Sequence, residues 1–171
     1  MIVTAEEGAQ VLACLEEARQ ERERLAKLAK HYILNFDSEM QTYLDKKREY
    51  MSKRADANVG IRGGLSKPTE AQALKSIKFD KRYPAFKWLK TVEILHRDLG
   101  ERKKIFLNIR IEAAKCHQTG RGRRGWVGYA QRRYTEALSA RFFDDTVYAE
   151  KTIKEIWRGI VDKAVDIFLR I

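Results

Sequence analysis

The sequence contains few residues that interrupt helices or cross-link a chain. Among its 171 residues there are two prolines, ten glycines and two cysteines. Because proline and glycine are the residues that most often end helices, their scarcity leaves room for long helical segments. Cys14 and Cys116 lie far apart in helical contexts. Such a pair favours reduced thiols in an intracellular environment over a disulfide framework.

Long apolar runs and alternating β-branched runs are also missing. No stretch approaches the roughly 18 to 20 apolar residues that a membrane-spanning helix needs. The first ten residues lack the basic and apolar regions of a signal peptide. We therefore expect a cytoplasmic protein without membrane contact. The hydrophobic fraction of 44% is sufficient for a packed core, and its spacing favours helices over strands.

The first third of the chain predicts a long amphipathic helix or a helix pair. Apolar residues recur at three- and four-residue steps from Val11 to Tyr50, and the pattern continues to about Ala57. The segment Asn35–Ser38 is the predicted break. This apolar stripe needs a partner surface. We favour a homodimer through the N-terminal helix, while packing within one subunit stays open.

A glycine-rich segment separates this arm from the rest of the chain. Three glycines and a proline fall between Asn58 and Thr69, which predicts a flexible linker over 58–68. The predicted domains are thus a helical arm over 1–57, the linker, and a basic helical domain over 69–171. Within the last, the spacing predicts helices that start near Thr69 and at Tyr83-Pro84, a helix ending around Cys116, one from Trp126 to about Leu138, and a broad-faced final helix. The predicted fold class is all-α.

Positive charge is concentrated in the middle of the sequence. The chain has 35 basic and 24 acidic residues, a net charge of +11. Residues 61–100 hold nine basic and four acidic residues, and residues 101–134 hold ten and two, whereas each end of the chain is nearly neutral. A localised basic excess is typical of a surface that binds a polyanion such as nucleic acid. A solvated surface that only maintains solubility is the alternative.

The order of the last three predicted helices resembles a helix-turn-helix. A basic helix, a turn, a helix from Trp126 and a helix opening near Tyr148 follow one another. In that motif one helix braces the backbone and the next places its first residues in the major groove. A plain helical hairpin would give the same pattern. If the motif is present, these side chains of the last helix face DNA: Lys151, Thr152, Lys154 and Arg158.

A Gly/Arg segment before Trp126 adds a second candidate contact. The sequence GRGRRG at 120–125 lets arginines approach phosphates or a minor groove, because glycine imposes no steric limit. It could equally serve RNA, on which flexible basic segments fold. With the arginines of the next predicted helix, the candidate phosphate contacts are Arg121, Arg123, Arg124, Arg132 and Arg133.

Residues suited to catalysis are scattered. The three histidines lie far apart, and the adjacent pair Cys116-His117 lacks the spacing of metal ligands. Asp144-Asp145 more often caps a helix than holds a cation. Motifs of nucleophilic, zinc-dependent or kinase catalysis are missing. We therefore expect neither an enzyme nor a cofactor.

Three segments in order resemble a known family. They are an N-terminal helix with tyrosines, the linker Gly60-Ile61-Arg62-Gly63-Gly64-Leu65-Ser66-Lys67-Pro68-Thr69, and a C-terminal region with Trp126-Val127-Gly128-Tyr129-Ala130 followed by Thr152-Ile153-Lys154-Glu155-Ile156-Trp157. This arrangement resembles the phage transcriptional regulators of the RinA/ArpU type, whose C-terminal part is similar to sigma-factor region 4. The resemblance implies sequence-specific binding to duplex DNA, activation of phage or prophage genes, and contact with RNA polymerase.

Two departures from the family pattern keep other functions open. The GRGRRG insert is unusual, and the connection from Ser139 to Tyr148 is longer than the tight turn of such modules. A DNA-packaging subunit of the small-terminase kind would also combine a helix-turn-helix with an oligomerising helix. An adaptor that binds RNA or RNA polymerase through the Gly/Arg segment is the other alternative.

Overall fold

Seven helices make up most of the structure, a computed structural model that describes residues 5–52, 68–118 and 125–171. They are α1 (Ala5–Leu34), α2 (Phe36–Ser52), α3 (Pro68–Arg82), α4 (Phe86–Asp98), α5 (Glu101–Gln118), α6 (Gly125–Phe142) and α7 (Glu150–Arg170). No strand occurs within those ranges. The predicted all-α fold class is confirmed.

The helix breaks follow from local sequence. Asn35 separates α1 from α2, and its side-chain amide donates to the carbonyl of His31 at 2.9 Å, which satisfies an acceptor at the end of α1. Pro84 lies in the turn before α4, and Gly100 lies between α4 and α5. The predicted break at 35–38 and the predicted helix starts agree with the structure to within about three residues, whereas α6 continues to Phe142, four residues beyond its predicted end at Leu138. Most of the predicted linker, at 58–67, lies outside the described residues.

The core is organised around α7, whose apolar residues recur at helical spacing. Ile153, Trp157 and Ile160 are buried on the face that meets the other helices. Helix α4 packs against α7 and contributes further buried side chains, including Trp88, Leu89, Val92 and Leu95. Helices α5 and α6 form a hairpin joined by an edge-to-face contact of Phe106 with Tyr134, whose ring centroids are 5.3 Å apart.

The apolar side chains of α1 are exposed in the first part of the helix and buried in its last part. Val11, Leu12 and Leu15 are 58%, 68% and 61% exposed, whereas Leu25, Ala29 and Ile33 are buried in the core formed with α4 to α7. The apolar stripe predicted from Val11 is thus covered by the chain only from Leu25 onward. The core draws residues from both of the predicted segments 1–57 and 69–171.

A smaller aromatic cluster connects α2 with α3 and the start of α4. The Tyr43 ring lies 5.2 to 5.8 Å from the rings of Phe79, Tyr83 and Phe86. Beneath it, the Tyr43 hydroxyl donates to Asp80 at 2.6 Å. None of the described helices is long and apolar enough to cross a membrane.

Candidate nucleic-acid interface

The structure describes six of the nine residues predicted to bind nucleic acid. Arg121, Arg123 and Arg124 lie outside the described residues, between α5 and α6. The other six lie on two helices: Arg132 and Arg133 on α6, and Lys151, Thr152, Lys154 and Arg158 on α7.

The two lysines at the start of α7 are exposed and paired with acids of the same helix. The ammonium of Lys151 lies 4.0 Å from the carboxylate of Glu155, and that of Lys154 lies 3.7 Å from Glu150. Each exposed pair of this kind is worth only about 0.3 to 0.5 kcal/mol, so a phosphate can displace it. The four charges cancel, however, and this turn carries no net positive field of its own.

Helix α7 has a buried face and an exposed face. Ile153 and Trp157 are buried, Ile156 is half-buried and packs against the core, and Arg158 is exposed. Thr152 is half-buried, which leaves it a smaller accessible surface than its lysine neighbours. The helix therefore presents its lysines and Arg158 to solvent.

The arginines of α6 differ from each other. Arg133 lies 3.3 Å from Glu136, and this hydrogen bond is the main cause that raises the pKa of the Arg133 guanidinium. Arg132 and Arg158 are exposed, and neither forms an ion pair within the described ranges. Both guanidinium groups are thus available to a phosphate without first breaking a protein contact.

The connection between α6 and α7 is longer than the turn of a helix-turn-helix, and side-chain hydrogen bonds stabilise its conformation. Residues 143–149 are non-helical. Hydrogen bonds that the Asp144 carboxylate accepts stabilise this segment. The carboxylate accepts from Arg102 at 2.7 Å and from the backbone amide of Thr146 at 3.2 Å. Hydrogen bonding by the Thr146 side chain is the main cause that lowers the pKa of Asp144, and the backbone amide of Thr146 is the second. Gln131 donates to the carbonyl of Tyr148 at 2.6 Å. These contacts fix the entry of the chain into α7.

One cation that is not among the predicted contact residues lies between the three C-terminal helices. The Arg110 guanidinium carbon is 4.3 Å from the ring centre of Trp126 and 5.1 Å from that of Trp157. Its Nε is buried without a hydrogen-bond partner, and burial lowers the pKa of the group. Two indole faces hold the charge in place of a carboxylate. Sequence spacing could not reveal it, because the three residues come from three helices.

The described residues show no metal-binding cluster of three or more His, Cys, Asp or Glu side chains. Cys14 and Cys116 do not form a disulfide.

The chain was compared with known proteins in three ways. No family model matches it, and neither the curated proteins nor the solved structures include a significant match. The resemblance to phage regulators therefore stays a prediction.

Proposed function

We propose that this protein binds duplex DNA through α6 and α7 and regulates transcription of phage or prophage genes. The observation that carries the proposal is the pair of exposed arginines, Arg132 and Arg158, that have no acidic partner within the described residues. They lie on the two helices that the predicted helix-turn-helix would use. Residues 101–134 add the strongest basic excess of the chain.

The exposure of each cationic side chain and its ion pairing indicate which part of the DNA it would contact. Arg132 and Arg158 would contact phosphates and set the position of the protein on the duplex, because their charge is not already satisfied. Lys151 and Lys154 would exchange their glutamates for base edges or phosphates in the major groove. Arg121, Arg123 and Arg124 would add phosphate contacts from the segment between α5 and α6.

The test compares two double variants on one duplex by fluorescence anisotropy. We expect R132Q/R158Q to weaken binding at every sequence and to lower the salt slope by about one to two units, as two lost phosphate contacts should. The matched control is K27Q/K30Q, which removes two exposed lysines of α1. Equal losses in the two variants would show that only overall charge matters and would overturn the interface.

A packaging subunit and an RNA adaptor make different predictions. A packaging subunit would form a ring and would bind duplex DNA as an assembly. An adaptor would prefer structured RNA to duplex of the same length. Mass measurement in solution, together with competition between RNA and duplex, separates both functions from a monomeric or dimeric regulator.

The exposed half of α1 supports a homodimer as the assembly that binds DNA. Val11, Leu12 and Leu15 precede Leu25, which is the first buried side chain within residues 10–34. At 1.5 Å per residue, Leu25 lies about 20 Å along the helix from Val11. Burying these side chains against a second copy would remove apolar surface from water. We expect L12E/L15E to be monomeric by analytical ultracentrifugation and L74E, a change at another exposed leucine, to keep the wild-type mass.

RNA polymerase is the partner that the resemblance suggests, and the connection before α7 offers a surface for it. Phe143 and Val147 are 92% and 75% exposed. Large exposed apolar side chains on an ordered connection suit a protein contact. F143S/V147S should keep DNA affinity and lose transcriptional activation in a purified system. Retained activation would remove this surface from the proposal.

A further inference from the structure

A basic groove lies at the junction of α3 and α4, next to the C-terminal end of α7, and none of the residues that line it belongs to the proposed DNA interface. It has a volume of about 520 Å³ and is open to solvent. Its rim includes Lys81 and Arg82 from the end of α3 and Lys87 and Lys90 from the start of α4. All four side chains are exposed. The volume is within the range of sites for small organic ligands.

The one aspartate that lines the groove is already neutralised. Asp80 accepts hydrogen bonds from the Tyr43 hydroxyl at 2.6 Å and from the Lys47 ammonium at 2.7 Å. Its charge is therefore directed towards α2 and compensated by a lysine that does not line the groove.

The four cations on the rim differ in how strongly they are engaged. Lys90 lies 2.9 Å from Glu93, and the Lys87 ammonium lies 4.2 Å from the ring centre of Phe168, an interaction that leaves its charge unneutralised. Lys81 and Arg82 form no ion pair with any described residue. The groove thus has a net positive charge, with Lys81, Arg82 and Lys87 as its available donors.

The walls of the groove are aromatic and aliphatic. Tyr83 and Phe86 line it, with Pro84 in the turn between them, Ile94 about two turns further along α4, and Ile171 at the end of α7. The aromatic cluster fixes both rings, because each lies within 5.8 Å of Tyr43. Flat apolar surface beside several cations suits a ligand that has both a planar base and a phosphate.

We propose that this groove binds a phosphorylated nucleoside, either as a free nucleotide or as one residue of a single strand. The phosphate would lie against Lys81, Arg82 and Lys87, and the base against the walls around Tyr83 and Phe86. A duplex does not fit a groove of this volume, because its bases are paired and stacked inside. The site is therefore separate from the duplex interface proposed above and does not depend on it.

The test is displacement of a fluorescent adenosine diphosphate from the full chain. The competitors are unlabelled adenosine monophosphate, adenosine, inorganic phosphate and a single-stranded thymidine 10-mer. We expect adenosine and inorganic phosphate to compete at least about tenfold more weakly than the monophosphate, because each offers half of the recognised chemistry. A stronger effect of the 10-mer than of the monophosphate assigns the natural ligand to a single strand, and the reverse assigns it to a free nucleotide.

Matched variants locate the site. K81Q/R82Q should weaken binding of the labelled nucleotide about tenfold or more, whereas K78Q, an exposed lysine of the same helix that does not line the groove, should change it less than about twofold. Circular dichroism checks that each variant is folded. Duplex binding should stay at the wild-type level in K81Q/R82Q, so a failure here is distinguishable from a failure of the duplex interface. Equal effects of K81Q/R82Q and K78Q, no binding of the labelled nucleotide, or inorganic phosphate competing as well as the monophosphate would overturn the proposal.

Discussion

The start of α7 and the junction of α3 with α4 carry the same kinds of cation in different electrostatic settings. On α7, each lysine faces a glutamate one turn away, Lys151 with Glu155 and Lys154 with Glu150. At the α3–α4 junction, Lys81 and Arg82 have no such partner within the described residues. Net charge along a sequence therefore shows where cations are, and the pairing shows which of them are available to a ligand.

We expect the largest difference in the free energy of unfolding between substitutions on the buried face and on the exposed face of α7. Trp157→Ala should lower the free energy of unfolding by about 3 to 5 kcal/mol, because the indole is 6% exposed and its removal leaves a cavity beside Arg110. Arg158→Ala, one residue further on the exposed face, should change it by less than about 0.5 kcal/mol. Urea unfolding measures both. Similar losses would mean that α7 does not present separate inner and outer faces.

Half-buried and exposed ion pairs form the second contrast. Asp80→Ala should cost about 1 to 3 kcal/mol, because it leaves the Lys47 ammonium and the Tyr43 hydroxyl without their acceptor in a partly buried place. Asp45→Ala removes an exposed partner of Arg48 and should cost less than about 0.5 kcal/mol. Urea unfolding of both variants measures the two losses in stability. An Asp80→Ala protein as stable as the Asp45→Ala protein would show that Lys47 does not need its partner.

The connection leading into α7 carries local backbone strain that the α3–α4 turn lacks. Phe143 has a φ of 54° and is exposed, so its side chain gains no core packing for this conformation. Phe143→Gly should therefore raise stability by about 0.5 to 1 kcal/mol in thermal unfolding. Val147→Gly, an exposed residue of the same connection, should instead lower it slightly through the freer unfolded chain. A Phe143→Gly protein less stable than wild type would show that the ring makes a stabilising contact.

The smallest expected effect concerns pH and compares two histidines. The Nε2 of His96 is buried without a hydrogen-bond partner, and burial is the main cause that lowers the pKa of the ring. The folded state thus favours neutral His96, so stability is present above the ordinary histidine pKa of about 6.5 and is lost as pH falls through the lower folded value. His96→Gln should reduce this loss, and His31→Gln, a change at an exposed ring, should not. Unfolding curves between about pH 7 and pH 5 test it.

The helix boundaries could be predicted because the residues that begin or end a helix act on their immediate neighbours in the chain. Asn35, Pro84 and Gly100 each act on the residues beside them, so the sequence indicates where α1, α4 and α5 begin or end. Whether an apolar stripe is buried depends instead on helices that are distant in the sequence. Val11 and Leu25 occupy the same kind of position in the pattern, and only the second is covered by neighbouring helices.

The site was less predictable for the same reason. The glutamate partners of Lys151 and Lys154 are visible at i and i+4 in the sequence and could have been recognised there. Arg110 between its two indoles and the groove beside Lys81 depend on helices brought together by the fold. Sequence patterns therefore located the basic region but not the contacts within it.

Binding to duplex DNA across a salt series tests the proposed interface on α6 and α7. We expect an affinity for duplex DNA that exceeds the affinity for double-stranded RNA of equal length and falls about tenfold or more between about 50 and 200 mM salt, as at least two phosphate contacts require. One duplex from the neighbourhood of the gene should bind more tightly than a scrambled duplex at the higher salt. Equal or stronger binding to double-stranded RNA, or no duplex DNA binding at the lower salt, would contradict the proposed DNA interface.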